Sequence, residues 1–359
     1  MARKCTAVIN LSAIKQNYLY AKSLSANSYA IAVVKANAYG HGAVKVAKYL
    51  EDCADFFGVA CIEEAIELRA SGLSKTPVLL MEGIFELSEL TLAIKNNLTI
   101  TVCSPLQLEW ILNATINKKI DVFIKHDSGM GRLGFQDAQF KEAIRSLEES
   151  NNISKITLMT HFSSADNLES KSTSEQVIDF ENASGNNNYS LSLANSAAIL
   201  AWESTHKDYT RPGIMLYGSS PFKDTLHQKK LAPVMTLSSS LISIKSFKAG
   251  QSIGYGERFI CKKDTLIGVV AIGYADGYPR SAKDGTPVFI NGLRCSVAGR
   301  VSMDMMTIDL SNALNPQVGD RVELFGENIP VDELAECCNT ISYEIFSKIT
   351  NRVYKTYVQ

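Results

Sequence analysis

Residues 29–42 read YAIAVVKANAYGHG. The run from Tyr29 to Val34 has the length and β-branched content of a buried strand, and Lys35 stands at its C-terminal end, directly before a turn of small residues. Strand ends of this kind are where α/β proteins build active sites. A single lysine after a strand is more often a solvated one, so its meaning depends on what the other strands place beside it.

Working outward, short apolar runs alternate with segments of helical period from about residue 29 to about 218. The strands are expected to begin near Ala30, Asp55, Pro77, Leu98, Lys119, Lys155, Tyr189 and Arg211. Between them, Glu63 to Ser71, Leu87 to Asn96 and Phe140 to Glu149 carry apolar residues at spacings of three and four with charges between, as helices packed on one face do. Eight strands with crossover helices close most economically as a (β/α)₈ TIM barrel. A doubly wound open sheet is the main alternative.

After about Leu231 the texture changes. LSSSLISIKSF, TLIGVVAIG, TPVFING and RVELFG are separated by Gly, Pro and Asp turns, without helices between them. The expected organisation is a barrel over residues 1–231 and a mainly β domain over 232–359, with one late helical stretch from Val331 to Ser347. The first run, Thr6 to Leu11, is surplus to the eight strands and is expected to pair with the C-terminal domain.

The chain has 359 residues and a formal charge of −1, with a pI near 6.5. That balance gives no reason to expect nucleic acid or an anionic membrane as partner, and favours a small-molecule ligand. Its eight cysteines form no CxxC pair and only five histidines are present, so no metal site is expected. The N-terminus lacks a signal-peptide core, and the longest apolar run, Leu266 to Ile272, cannot span a bilayer. A cytoplasmic location with reduced thiols follows as the expectation.

In a barrel the strand ends share one mouth, so their polar residues can be read together. The fifth strand ends in VFIKHDSGMGRLGF, giving Lys125 and, past a glycine-rich loop, Arg132, a residue suited to a carboxylate or phosphate. The sixth gives His161 and the seventh Asn195 and Ser196. The eighth region, YTRPGIMLYG, gives Arg211 and the amides of Gly213 and Ile214, which suit an anion. Singly, each has a dull explanation: a surface ion pair, a core histidine, a helix cap. Jointly they are hard to dismiss as chance.

VKANAYGHG resembles the pyridoxal phosphate lysine signature of the alanine racemases. The resemblance continues in order through HDSGMGRLGF, THFSSAD, ANSAA, RPGIMLYG, GYGERF, IGYADGYPR, GRVSMDMM and YEIF. It implies a barrel with a C-terminal β domain, pyridoxal 5′-phosphate as cofactor, and interconversion of L- and D-alanine. By the same resemblance Lys35 anchors the cofactor and is one of two catalytic bases. Tyr255 is the other, supplied across a homodimer interface, because a proton that leaves one face of a carbon and returns on the other needs a group on each side. Tyr39, Ser196, Tyr343 and the amides of Gly213 and Ile214 match phosphate contacts, and His161 and Asn195 match residues around the ring.

Arg211 matches the residue that meets the pyridine nitrogen, and Arg132 the one that orients the cofactor's phenolic oxygen and the substrate carboxylate. Lys125 matches a lysine often carbamylated in the family. Tyr274, Arg280, Met303 and Asp304 match residues at the substrate's approach, also from the partner. Three departures stand out: Ser192 where many relatives have histidine, Ser302 in place of a frequent cysteine, and the tail RVYK where RVPR is common.

Barrel-type amino-acid decarboxylases share the architecture, but their GGG phosphate loop and CDxxD-like motif are not found here. The non-catalytic pyridoxal phosphate carriers are barrels without a β domain. A racemase preferring serine, or one of broad specificity, is the remaining alternative.

Overall fold

A computed structural model of the protein describes residues 3–185, 188–222 and 230–359. Eight parallel strands close into a barrel in the order β2 to β9: β2 (Tyr29–Val33), β3 (Phe56–Val59), β4 (Val78–Leu80), β5 (Leu98–Val102), β6 (Ile120–Lys125), β7 (Ile153–Met159), β8 (Ser190–Asn195) and β9 (Tyr209–Arg211). Closure is made by β9 pairing with β2, Tyr29 opposite Tyr209. The TIM-barrel reading therefore holds and the open sheet is excluded. Each strand begins within two residues of its expected start, because strands buried on both faces read as continuous apolar runs. Ile31, Leu79, Phe123, Met159 and Tyr209 from the strands pack together as a buried cluster.

The outer helices start where the local chemistry requires. The helix Pro105–Asn113 opens with Pro at its first position, and the side chain of Ser104 accepts from the Gln107 amide, the usual satisfaction of an orphan donor. The helices expected over 63–71, 87–96 and 140–149 are found at Ile62–Ala70, Ser88–Lys95 and Asp137–Glu149.

The second unit comprises Met1–Ile14, Tyr217–Ser219 and Ala232–Gln359, and the barrel unit Lys15–Leu216 with Ser220–Leu231. The strands of the second unit are β1 (Thr6–Asn10), β10 (Met235–Phe247), β11 (Ser252–Ile253), β12 (Phe259–Ile260), β13 (Thr265–Val270), β14 (Pro287–Ile290), β15 (Leu293–Val297), β16 (Met306–Asp309), β17 (Arg321–Phe325) and β18 (Tyr354–Val358). They form one sheet in the order β13-β16-β15-β14-β17-β10-β1-β18, with β11 and β12 as a separate hairpin. The long β10 also pairs with β13 through a bulge between Leu241 and Ser243, which closes six of the strands on themselves. β1 pairs antiparallel with β10 and parallel with β18.

The late helical stretch is two helices rather than one, Val331–Cys337 and Ser342–Ser347. Asn339 between them has φ 54°. Asparagine tolerates this left-handed conformation and so ends the first helix.

Candidate active site

The segment after β2 turns the wrong way for L-residues. Ala36, Asn37, Ala38 and Tyr39 all have φ between 51 and 53°, a single left-handed helical turn closed by Gly40 N–H donating to Ala36 O at 2.9 Å. Such a turn costs roughly 1–2 kcal/mol for each residue, so it persists only where its surroundings over-determine it. Asn37 Oδ1 accepts from Ala43 N at 2.8 Å. The buried His41 places Nδ1 3.0 Å from Ala38 O and 2.9 Å from Tyr39 O, which assigns the proton to that nitrogen. Glu64 accepts from Ala36 N at 2.6 Å. The turn carries Lys35 at its head and Tyr39 at its end; Lys35 Nζ lies 3.5 Å from Glu82 Oε1.

Tyr39 reaches the neighbouring strand end, past β9. A Cβ at Gly213 would lie only 3.0 Å from the Tyr39 hydroxyl and 3.7 Å from Ser196 Oγ, and Gly213 N–H donates to Ser196 Oγ at 2.8 Å. Two hydroxyls thus lie beside Gly213, Ser196 Oγ on its amide and the Tyr39 hydroxyl where a side chain would begin. Burial raises the Tyr39 phenol to about 12, so it is a donor at neutral pH. Asn195 holds this corner from behind: its Oδ1 accepts from Ala198 N at 3.1 Å and caps the helix Ser196–Ala201.

Arg211 is 3% exposed. Nη1 donates to Ser192 O at 2.8 Å and Ser192 Oγ at 2.7 Å, and Nη2 donates to Thr160 O at 2.7 Å and Leu193 O at 3.0 Å. Nη2 also lies 3.4 Å from His161 Nδ1. Among the described residues each of these partners is neutral, so the guanidinium charge is not cancelled locally. Burial lowers its pKa, but only to about 10, which leaves it a cation at neutral pH. His161 is driven well below the ordinary histidine range by burial and then by the charges of Arg211, Lys125, Arg132 and Lys35. It is neutral, and its Nδ1 accepts from Arg211.

Lys125, at the end of β6, is 6% exposed. Burial, followed by the charges of Arg211 and Arg132, lowers its pKa to about 8. Arg132 is exposed on the loop 126–135, where Asp127 Oδ1 accepts from Gly131 N at 2.9 Å. The barrel mouth is therefore a basic site with four cationic side chains, suited to anionic groups. Away from these residues, His126 Nε2 lies 2.9 Å from Asp137 Oδ1, a hydrogen bond between the strand end and the helix Asp137–Glu149.

Tyr255, Tyr274, Met303 and Tyr343 belong to the β unit. Tyr255 opens a short turn after Gly254 and is 69% exposed, and Met303 is 53% exposed. Tyr343 lies on the helix Ser342–Ser347, and Arg280 is exposed. Tyr274 N donates to Ser302 O and Ala275 N to Met303 O, both at 3.0 Å. A Cβ at Gly273 would come within 2.4 Å of Met303 O, so glycine is needed for these two loops to meet. The buried Asp276 accepts from Gly273 N at 3.0 Å and pairs with Arg3 and Arg352; Arg352 also donates to Asp304 at 2.6 Å. The departing tail sequence thus begins with a residue that braces the Tyr274 and Met303 loops.

Neither Glu64 nor Glu82 is marked as a site residue by the sequence. Glu64 lies in EEAIELRAS, read as an amphipathic helix whose acids face solvent, and nothing in that pattern separates it from Glu63 or Glu67. The role of Ser192 was visible only as a departure.

Comparison with known proteins agrees with this geometry. The alanine racemase N-terminal domain matches residues 9–221 and the alanine racemase C-terminal domain residues 234–357. A protein of Pseudomonas putida named "Alanine racemase, catabolic" is 46% identical over 357 residues, 99% of each chain. The crystal structure of biosynthetic alanine racemase from Pseudomonas aeruginosa superposes with a TM-score of 0.97 at 44% identity, covering 99% of this chain and 100% of that one. The alanine racemase from Bartonella henselae with covalently bound pyridoxal phosphate has a TM-score of 0.90 at 29% identity, covering 99% of each. The chain belongs to the alanine racemase family, whose members are pyridoxal-phosphate-dependent isomerases.

Proposed function

We propose that the protein interconverts L- and D-alanine with pyridoxal 5′-phosphate as cofactor, in a cytoplasmic homodimer that supplies D-alanine for peptidoglycan. The observation that carries this reading is the cradle of the Gly213 amide with the Ser196 and Tyr39 hydroxyls, on the same barrel mouth as Lys35 and the uncancelled charge of Arg211. Its donors suit a phosphate, and a lysine at the mouth suits an aldehyde. The chemistry that the cofactor supplies when bound is acidification of the substrate's α-proton, through a covalent link to the amine and an electron-poor ring.

The chain's own residues do the rest. Tyr39, Ser196 and the amides of Gly213 and Ile214 hold the phosphate. Arg211 donates to the pyridine nitrogen; its Nη1 and Nη2 are held by strand carbonyls and Ser192, which fixes its plane. As a cation that keeps its own proton it leaves that nitrogen unprotonated, which limits delocalisation of charge into the ring and discourages transamination. His161 and Asn195 support the ring side of the site. Lys35 holds the cofactor and moves the α-proton on one face; Tyr255, from a partner subunit, moves it on the other. The wide exposure of Tyr255 supports a role toward another chain.

Arg132 orients the substrate carboxylate. Lys125, half neutral near pH 8, is suited to react as the free amine with carbon dioxide, giving a carbamate and one proton. The new negative charge would then face Arg132. Tyr274, Arg280, Met303 and Asp304 of the partner shape the substrate's approach and favour a small amino acid.

The test is racemisation of alanine, serine and lysine compared side by side with added cofactor. Alanine turned over at least tenfold faster than serine supports the reading; serine or lysine preferred selects the broad-specificity alternative. Because the Pseudomonas putida relative is named catabolic, the metabolic direction is tested separately. Deletion should create a requirement for D-alanine in growth, whereas loss of growth on alanine alone would favour the catabolic use.

A further inference from the structure

We propose that Glu64 is a positioning residue that holds Lys35 in its working place, an inference that rests on Lys35 being the cofactor anchor. The residue before Lys35 is fixed by Val34 N–H donating to Gly58 O at 2.8 Å. The residue after it, Ala36, begins the left-handed turn. The first amide of such a turn has no partner within the turn, just as the first amides of any helix have none.

Glu64 supplies that partner from outside. Its Oε1 accepts from Ala36 N at 2.6 Å, and its Oε2 accepts from Ala60 N at 2.8 Å. Ala60 directly follows β3, so one carboxylate ties the chain just past Lys35 to the end of the neighbouring strand. Glu64 is the third residue of the helix Ile62–Ala70, whose N-cap, Cys61, makes no side-chain capping bond. In a capping box the acid at this position turns back to the N-cap amide. Here it reaches one residue further back, and its second oxygen is spent on the lysine turn.

The bridge requires two acceptor oxygens at glutamate length. Glutamine offers one oxygen and presents an NH₂ group to the other amide, whereas aspartate keeps both charged oxygens but, one methylene shorter, holds the two amides less closely. Among the described residues the Lys35 amine meets only Glu82 Oε1, at 3.5 Å between partly exposed groups, too loose a contact to place it. The backbone clamp is what remains to aim the side chain.

The test uses the full-length wild type and Glu64→Gln, with Glu64→Asp as the conservative variant. Amide exchange is measured first, without cofactor. At least one of the Ala36 and Ala60 amides should exchange at least tenfold faster in Glu64→Gln, while Ala30 to Val33 stay unchanged. Pyridoxal phosphate is then titrated, and the Lys35 adduct is trapped with borohydride and located by peptide mass. Glu64→Gln should show at least tenfold weaker adduct formation or a tenfold lower kcat, with KM for alanine within about twofold and partial recovery in Glu64→Asp. Wild-type exchange and adduct formation in Glu64→Gln would overturn this proposal alone. A wild type that forms no Lys35 adduct would overturn the functional reading and this proposal with it, even if the exchange difference persisted. Should Glu64→Gln fail to fold, exchange in the wild type decides: a protected Ala36 amide supports the clamp, and exchange at the rate of an exposed amide refutes it.

Discussion

Ser192 Oγ accepts a hydrogen bond from Arg211 Nη1 at 2.7 Å, beneath the barrel mouth. A neutral hydroxyl therefore supports the buried guanidinium here. Ser192→Ala should leave Nη1 bonded only to the backbone carbonyl of residue 192 and cost about 1.5–3 kcal/mol, the usual range for a hydrogen bond to a charged group. Thermal or urea unfolding measures this, and cofactor affinity should fall in the same variant because the plane of Arg211 is less well fixed.

Gly213→Ala tests the phosphate cradle. The added methyl would lie 3.0 Å from the Tyr39 hydroxyl, tighter than an ordinary contact but at the edge of the barrel mouth. The fold should survive. Pyridoxal phosphate affinity, followed by absorbance titration, should fall at least about tenfold through displacement of the converging donors.

Lys125 makes stability depend on pH in a defined direction. Its folded pKa of about 8 lies below the ordinary value of 10.5, so between those two pH values the unfolded chain binds a proton that the folded chain has lost. Stability therefore rises with pH across that window and carries the full burial penalty below it. A displacement of this size corresponds to at most about 3 kcal/mol. In buffer free of carbon dioxide and cofactor, Lys125→Met should unfold at a higher temperature than wild type at pH 7. The gap should narrow as the pH approaches 10.

Tyr255→Phe removes one hydroxyl from a residue that is 69% exposed. Stability should change by no more than about 0.5 kcal/mol and the cofactor should remain bound. Racemisation should slow by about a hundredfold or more, the usual contribution of a positioned acid or base. Mixing inactive Lys35 and Tyr255 variants should restore activity in hybrid dimers; well-formed hybrids without activity would place both bases on one chain.

How much of this could be read from the sequence depended on whether a feature is local. The barrel strands were legible because VLL in β4 or AIAV in β2 must be apolar throughout when both faces are buried. That Lys35, Lys125 and Arg211 stand at the ends of barrel strands was legible because a strand's bounds dictate where its last and next side chains lie. The left-handed turn was not, since Ala36, Ala38 and Tyr39 are ordinary residues held in a costly conformation by partners elsewhere in the chain. Glu64 and Glu82 were hidden for the same reason: a carboxylate on a helix, as Glu64 is, or in a turn, as Glu82 is, looks alike whether it faces water or a partner from another segment. The break at Asn339 was missed because the apolar period continues across it.

The most direct test of the account is the reaction of L-alanine in deuterated water with cofactor-loaded wild type, Lys35→Ala and Tyr255→Phe. The account predicts that wild type forms D-alanine carrying solvent deuterium at the α-carbon, and that neither variant forms it at an appreciable rate. Well-folded wild type that binds the cofactor yet yields no D-alanine would contradict it, as would D-alanine formed at the wild-type rate by the Lys35 variant.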